Sequence, residues 1–422
     1  MATGTLEAAR SVLESACDDV TEAAPADAVD GVQPALVAWP AATEQVSEVM
    51  RAAAAHGMTV VARGSGTKMS WGRPPSRADL VVDLSRMDAV LEHAAGDLIV
   101  DTQAGVGLAD LQVVVSGAGQ RLSVDETVPG ASIGGTIATS TSGPGRVAAG
   151  TVRDLLIGVT VVRADGVVAK AGGRVVKNVA GYDLGKLVTG SFGTLAVITQ
   201  AVFRLHPLPA ARRVVSVEVA DPAQAQRLVQ SAIHAQVVPA AVEIDWHAGG
   251  SGTLTVLIEG TGPGVDGRTA TAVGLLGQGS TVAEELPADW TSYPWAGQER
   301  ATALKATFAI SGLERFLRDA DAAATELASG IGLRLKGSAG AGVLYGSVAA
   351  DADAAAVAAL VDRLRRTSTE LGGALVVLDA APEVKAAVDS WGPVNALDLM
   401  RQVKAEFDPE HRLAPGRFVG GI

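Results

Sequence analysis

Cysteine is almost missing from this chain. The single thiol, Cys17, excludes an internal disulfide, a cysteine-based zinc site and an iron–sulfur cluster held by this chain alone. Aromatic residues are scarce at 4%, while glycine stands at 49 positions, so much of the chain must make tight turns or close backbone approaches. Basic residues are outnumbered, 34 Lys and Arg against 46 Asp and Glu, and the net charge of −12 disfavours nucleic acid and anionic membrane surfaces. The six histidines are scattered without metal-ligand spacing, so no metal site is expected. Long apolar runs are also lacking. The most apolar window, Leu184 to Leu205, is interrupted by Gly185, Lys186, Gly190 and Gly193 and reads as a loop and a strand. The first residues, Met1 to Glu22, hold no apolar core of signal-peptide length, so a soluble, cytoplasmic protein is expected.

What is present is a globular balance, 48% hydrophobic and 19% charged, over 422 residues, enough for two or three folding units. Residues 41–56 read as a helix that Thr43 can cap, closed by Gly57 and followed by the β-branched run Thr59-Val60-Val61. Short strands are expected at Leu80 to Leu84 and Leu98 to Thr102, with a helix over 108–117. Asp165-Gly166, between apolar runs, is the strongest hairpin signal in the chain. His206-Pro207-Leu208-Pro209 marks a boundary. Beyond it, two rounds of strand, helix, strand, strand predict an antiparallel sheet covered on one side by helices. A tail helix from Asn395 ends at Asp408-Pro409.

Three glycine-rich stretches carry the chemistry. Arg63-Gly64-Ser65-Gly66-Thr67-Lys68 follows a strand, and its glycines let backbone N–H groups approach an anion while Ser65 and Thr67 add hydroxyls. Its spacing is neither that of a Walker loop nor that of a Rossmann turn. Taken alone, an ordinary tight turn explains it equally well. Residues 128–145 interleave Gly130, Gly134, Gly135 and Gly143 with Ser132, Thr139 and Ser142, a small-residue wall along which a dinucleotide and a flat ring fit. Gly190-Ser191-Phe192-Gly193-Thr194 then turns into the β-branched strand Leu195 to Thr199.

In this order and spacing, ARGSGTK, PGASIGGTIATSTSGP, VRADG, KNVAGYDLGKLVTGSFGTLAVIT and FDPEHRLAPGRF resemble the vanillyl-alcohol-oxidase (PCMH-type) FAD-binding superfamily. The KNVAGYDLGKLVTGS segment resembles in particular the FAD-binding subunits of bacterial glycolate oxidases. The resemblance implies an α+β fold: a two-lobed FAD-binding domain over residues 1–210, a cap of antiparallel sheet and helices over 211–385, and a segment 386–422 returning to the FAD domain. It implies FAD binding by Arg63, Gly64, Ser65, Gly66, Thr67 and Lys68 at the pyrophosphate. Pro129, Gly130, Ser132, Gly134, Gly135, Thr139, Ser142 and Gly143 would lie along flavin and pyrophosphate, and Gly193, Ala196, Val197 and Ile198 at the adenine end. Arg417 would reach the flavin edge or a phosphate. Flavinylated relatives carry a histidine where Thr67, Lys68 and Met69 stand, so the FAD is expected to be non-covalent. Relatives often have Asn where Ala414 precedes Pro415-Gly416.

The function implied is oxidation of a 2-hydroxy acid such as glycolate, with hydride transfer to the flavin and electrons passed to a partner. The family implies a second, homologous flavoprotein subunit and an iron–sulfur subunit, and through them a peripheral place at a membrane. Such chemistry needs a base for the hydroxyl and a cation for the carboxylate. Lys305 and His247 are the catalytic candidates, with Arg334, Lys336 and Tyr345 behind them; a solvated strand-end lysine and an ordinary surface histidine are the plain alternatives. Tyr182 and Asp183 read as structural hydrogen-bonding residues. The rival readings are a free-standing FAD-dependent 2-hydroxy-acid or alcohol dehydrogenase and an FAD-binding assembly subunit without turnover of its own.

Overall fold

Alternating apolar strands and amphipathic helices sort the chain of this computed structural model into two compact units, within described residues 3–173, 182–327 and 331–422. The first unit comprises residues 1–141, 151–208 and 393–422, and the second residues 142–150 and 209–392. Residues 177–181 of the glycolate-oxidase-like segment lie outside the described residues.

The first unit holds two main sheets. In one, Leu36–Ala38, Leu80–Asp83 and Val60–Arg63 pair in parallel, and Val20–Glu22 adds an antiparallel edge. These strands are short, unbroken apolar runs, as parallel strands covered on both faces require. The tail extends this sheet: Val60 N–H donates to Arg412 O at 2.8 Å and Ala414 N–H to Val60 O at 2.9 Å. The other sheet is five antiparallel strands in the order Val90–Ala94, Ile99–Gln103, Val197–Arg204, Leu156–Val162, Val168–Gly172. Its last two strands form the hairpin expected at Asp165-Gly166, where Ser47 Oγ donates to Gly166 O at 2.6 Å.

Helix Thr43–Ala55 buries Val46, Val49 and Met50, and Gly57 follows it at φ +63°. Its N-cap is Ala42, with no side-chain cap; Thr43 lies one residue inside, and its hydroxyl bonds Thr199 Oγ1 at 3.0 Å. Asp183 caps the short helix Leu184–Val188 by accepting from Lys186 N–H at 3.1 Å, whereas Tyr182 is exposed.

The second unit is an eight-stranded antiparallel sheet. The order runs Thr281–Ala283, Ala211–Val219, Ser251–Gly260, Ala241–His247, Arg334–Ser338, Val343–Val348, Thr302–Thr307, Leu375–Asp379. Counted outward from the central pair, each half places its own second, third, first and fourth strands, so the two rounds read in the sequence are a structural repeat. Helices Pro222–His234, Gly262–Leu276, Leu313–Glu326 and Ala354–Glu370 bury one face of this sheet in a continuous core with Ile244, Trp246, Val256, Leu304 and Leu335. The opposite face follows from the register. Lys305 stands opposite Tyr345, Tyr345 opposite Lys336, and Lys336 opposite Asp245, so these four share one row.

Among the described residues, no helix is long and apolar enough to cross a membrane, and no group of three or more His, Cys, Asp or Glu could hold a metal ion.

Candidate functional site

The loop after Val60–Arg63 forms one wall of a cavity in the first unit. Arg63, Gly64, Ser65, Gly66, Thr67, Lys68, Ser132, Gly134, Gly135, Thr139, Gly193, Ala196, Ile198 and Arg417 line it, all singled out in the sequence. A second, more open space shares Arg63 to Thr67 and Met69.

Two loops are stitched together to make this wall. Ser132 N–H donates to Ser65 Oγ at 3.0 Å, and Ser132 Oγ caps helix Ile133–Thr139 by accepting from Gly135 N–H at 3.3 Å. The fit is close enough that only glycine serves at Gly64, where a Cβ would lie 2.1 Å from Ser132 Oγ. Gly134 is held the same way, its Cβ position 2.9 Å from Ala104 Cβ. We expect Gly64→Ala to force the loops apart and yield folded protein with at least about tenfold weaker FAD binding. Flavin content after dialysis reads this out, and wild-type retention would refute the cradle.

Polar side chains in the loop divide into two groups. Arg63 is a fixed strut: Nε donates to Asp83 at 2.5 Å and Nη1 to Asp27 at 2.8 Å. Arg417 is another, because Nη2 donates to the carbonyls of Lys68 and Met69 at 3.0 and 2.8 Å. The tail arginine therefore holds the shape of the loop as well as lining the cavity. Lys68 differs from both. It is 6% exposed, its Nζ bonds only Thr67 Oγ1 at 3.3 Å, and it forms no ion pair among the described residues. Burial pushes its pKa down to about 8, against a smaller upward pull from Glu126.

Several expected contacts fall elsewhere. Pro129, Gly130 and Val197 do not line the cavity. Val197 is fully buried in the core, because alternation along Val197–Arg204 turns its neighbours Ala196 and Ile198 to the cavity and Val197 away. Ser142 and Gly143 belong to the second unit, where Ser142 O accepts hydrogen bonds from Tyr345 and Tyr293 at 3.1 and 3.4 Å. Ala62, Met69, Leu84, Ala104, Ala138 and Phe192 supply the apolar wall and were not foreseen. The signal was available for Phe192, which sits inside the Gly-Ser-Phe-Gly turn at φ +55° and stacks on Phe418 at 5.7 Å.

The two catalytic candidates lie on the uncovered face of the second unit's sheet but not together. Lys305 is half-buried in the middle of Thr302–Thr307, not at its start. His247 is 69% exposed at the end of Ala241–His247, three strands away, and approaches Asp245 at 3.9 Å. At ~4.8 Å per strand the separation is about 14 Å, too far for one reacting centre. Arg334 and Lys336 are already compensated, by Asp245 at 2.5 Å and Asp289 at 2.9 Å.

A glycine cradle with a buried lysine and a flat apolar wall suits a dinucleotide with an aromatic ring system, and these residues fit FAD on their own geometry. Such a lining is what a flavin-dependent oxidoreductase needs. The comparisons agree: an FAD binding domain matches residues 34–172, and the C-terminal domain of FAD linked oxidases matches residues 296–418. The chain belongs to the PCMH-type FAD-linked oxidase family.

It is 27% identical to glycolate oxidase subunit GlcD of Bacillus subtilis over 417 residues, 91% of this chain and 88% of that one. It is 39% identical to glycolate oxidase subunit GlcE of Escherichia coli over 109 residues, 24% of this chain and 31% of that one. The D-lactate dehydrogenase [cytochrome] 1, mitochondrial, of Saccharomyces cerevisiae is 36% identical over 209 residues, 48% of this chain and 35% of that protein. The chain thus spans about a third of the last two relatives. A solved alkyldihydroxyacetonephosphate synthase shares the fold, with TM-score 0.67 and 18% identity over 92% of this chain and 78% of that one.

Proposed function

We propose that this chain is an FAD-dependent 2-hydroxy-acid oxidoreductase that works as a flavoprotein subunit of a glycolate-oxidase-type complex. The observation that carries the reading is the glycine cradle with its buried, uncompensated Lys68, in a chain similar to GlcD over 88% of that subunit. Bound FAD supplies a two-electron acceptor for a CH–OH donor. Backbone N–H groups of Gly64 to Thr67 and the ammonium of Lys68 hold its phosphates, and Ala104, Ala138, Ala196 and Ile198 exclude water. Arg417 and Arg63 keep the loop in shape, each engaged with protein groups. The lining contains no histidine or cysteine, which supports non-covalent FAD. Lys305 binds the carboxylate of the acid. Electrons leave through a partner subunit carrying iron–sulfur centres, with a homologous flavoprotein subunit beside this one.

A second reading is favoured by one observation. Lys305 shares its row with Tyr345, Lys336 and Asp245, and the last two are engaged in ion pairs. No unengaged base stands beside Lys305 in that row, as expected of a subunit that binds FAD and leaves turnover to its homologue. A visible spectrum of the purified chain, then anaerobic glycolate and D-lactate, decides between them. Bleaching by either acid, with flavin released into the supernatant by acid precipitation, is the expected result. An oxidised flavin that neither acid reduces would assign chemistry to the partner, and absence of flavin after reconstitution would overturn both readings.

A further inference from the structure

The first unit carries a group of cations that its glycine cradle does not use. Strand Val197–Arg204 continues through Leu205, whose N–H donates to Leu98 O at 2.7 Å, into His206. His206 stands opposite Arg121 in the ribbon that pairs His206–Pro207 with Gln120–Arg121, and Ser123 Oγ lies 2.9 Å from His206 Nδ1. Leu205 and Leu122 are each 1% exposed, so alternation turns Arg204 and His206, and likewise Arg121 and Ser123, to the side away from the core. Four polar side chains of one unit thus share a patch, each of them partly open to solvent.

Arg204 is the member without compensation. Its Nε is buried with no hydrogen-bond partner, and it forms no ion pair among the described residues. Asp101, diagonal to it across the strand pair, accepts instead from Gln200 Nε2 at 2.7 Å. Elsewhere in this acidic chain arginines meet carboxylates, as Arg63, Arg213 and Arg334 do. A buried guanidinium nitrogen left unsatisfied calls for a partner from outside the chain. Burial and the positive charges of Arg204 and Arg121 push the His206 pKa below the ordinary imidazole value, so the three groups lie within electrostatic reach of one another. A Ser123 hydroxyl that donates to Nδ1 leaves the ring proton on Nε2, where it can be donated onward.

We infer that Arg204, Arg121 and His206 form a binding site for a phosphate-class dianion, separate from the glycine cradle. Two guanidinium groups balance two negative charges. Their forked N–H groups, with the imidazole N–H, match three oxygens of a tetrahedral anion better than the two of a carboxylate. Ser123 is a positioning residue that fixes the ring. The group is that of a soluble phosphate or of a phosphate-monoester lipid headgroup, which share this chemistry and which the test separates. The site does not rest on the hydroxy-acid reading above.

The test is calorimetric titration of the FAD-loaded full chain with inorganic phosphate in a chloride buffer, so that the cradle is already filled. Phosphate is expected to bind at one site, Arg204→Met to weaken it at least about tenfold, and His206→Gln at least about threefold. Arg204→Lys, which keeps the charge without the fork, should fall between wild type and Arg204→Met and serves if the methionine variant does not fold. Arg300→Met, at an exposed arginine paired with Glu383, should leave binding unchanged. Sedimentation with phosphatidic acid vesicles, lost in Arg204→Met, would assign the lipid headgroup; phosphate binding without vesicle binding would assign a soluble ligand. Binding of neither phosphate nor vesicles by the wild type would overturn the site. So would phosphate binding that Arg204→Lys and His206→Gln leave unchanged at wild-type thermal midpoints. Acetate bound as tightly as phosphate would overturn the dianion class.

Discussion

Replacing Lys404 with methionine is expected to lower the unfolding free energy by on the order of 3–5 kcal/mol, the scale for breaking a buried ion pair by removing one partner. Lys404 is fully buried. Its ammonium donates to the Asp408 carboxylate at 2.6 Å, to Thr194 O at 2.7 Å and to Leu413 O at 3.0 Å. Asp408 in turn accepts from the N–H groups of Arg412 and Leu413, at 2.9 and 2.7 Å. Burial pulls the lysine pKa down, and the carboxylate opposes that pull. Loss of the ammonium leaves the buried Asp408 charge without its counter-ion and takes a donor from the carbonyls of Thr194 and Leu413. The contact to Thr194 O ties the tail to the turn at Gly193-Thr194, so flavin retention should fall with stability. Adding Asp408→Asn removes the stranded charge and should restore part of the loss. A drop below about 1 kcal/mol in a denaturant titration would show that the pair does not hold the tail.

Lys68 should make both stability and FAD affinity depend on alkaline pH. Its pKa is about 8 in the folded chain against 10.5 as the ordinary value. Below pH 8 it is protonated folded and unfolded, and the cost of burying an ammonium is fully present. Between pH 8 and 10.5 the unfolded chain holds more protons, so stability of the FAD-free protein rises with pH, by on the order of 3 kcal/mol in all. A bound phosphate reverses the balance by favouring the ammonium. FAD binding should therefore take up a proton above pH 8, and affinity should fall by up to about tenfold per pH unit through that window. Lys68→Met should stabilise the FAD-free protein at neutral pH, weaken FAD, and flatten both profiles. An FAD affinity that is flat from pH 7 to 10 in the wild type would rule out Lys68 as the phosphate's charge partner.

Much of this was legible because it depends on local chemistry. The loop Arg63 to Lys68 and the hairpin at Asp165-Gly166 follow from residues a few positions apart. The two rounds of strands and helices were legible from apolar periodicity, which reports a buried face wherever the sheet ends up. Thr43 shows the limit of such reading. One residue of shift put Ala42 at the cap and turned the threonine hydroxyl to a strand 156 residues away.

The site was less legible wherever a role depends on a distant partner. Arg417 has the charge expected at a phosphate, yet the carbonyls of Lys68 and Met69, nearly 350 residues earlier, claim its guanidinium. Val197 falls to strand alternation, which sends its two neighbours to the cavity and Val197 into the core. His247 and Lys305 are both cap residues of suitable chemistry, but strand order sets two strands between them.

By itself, then, the sequence determined the cofactor class, the glycine cradle and the kind of sheet in the second unit, because glycine spacing and apolar period act within one element. Only the tertiary structure decided which charges are compensated and which stay free. Arg63, Arg334 and Lys336 find their carboxylates across strands, Lys68 and Lys305 find none among the described residues, and Ser142 leaves one unit to pack in the other. Those outcomes follow from register and burial, which bring together residues that no local pattern links.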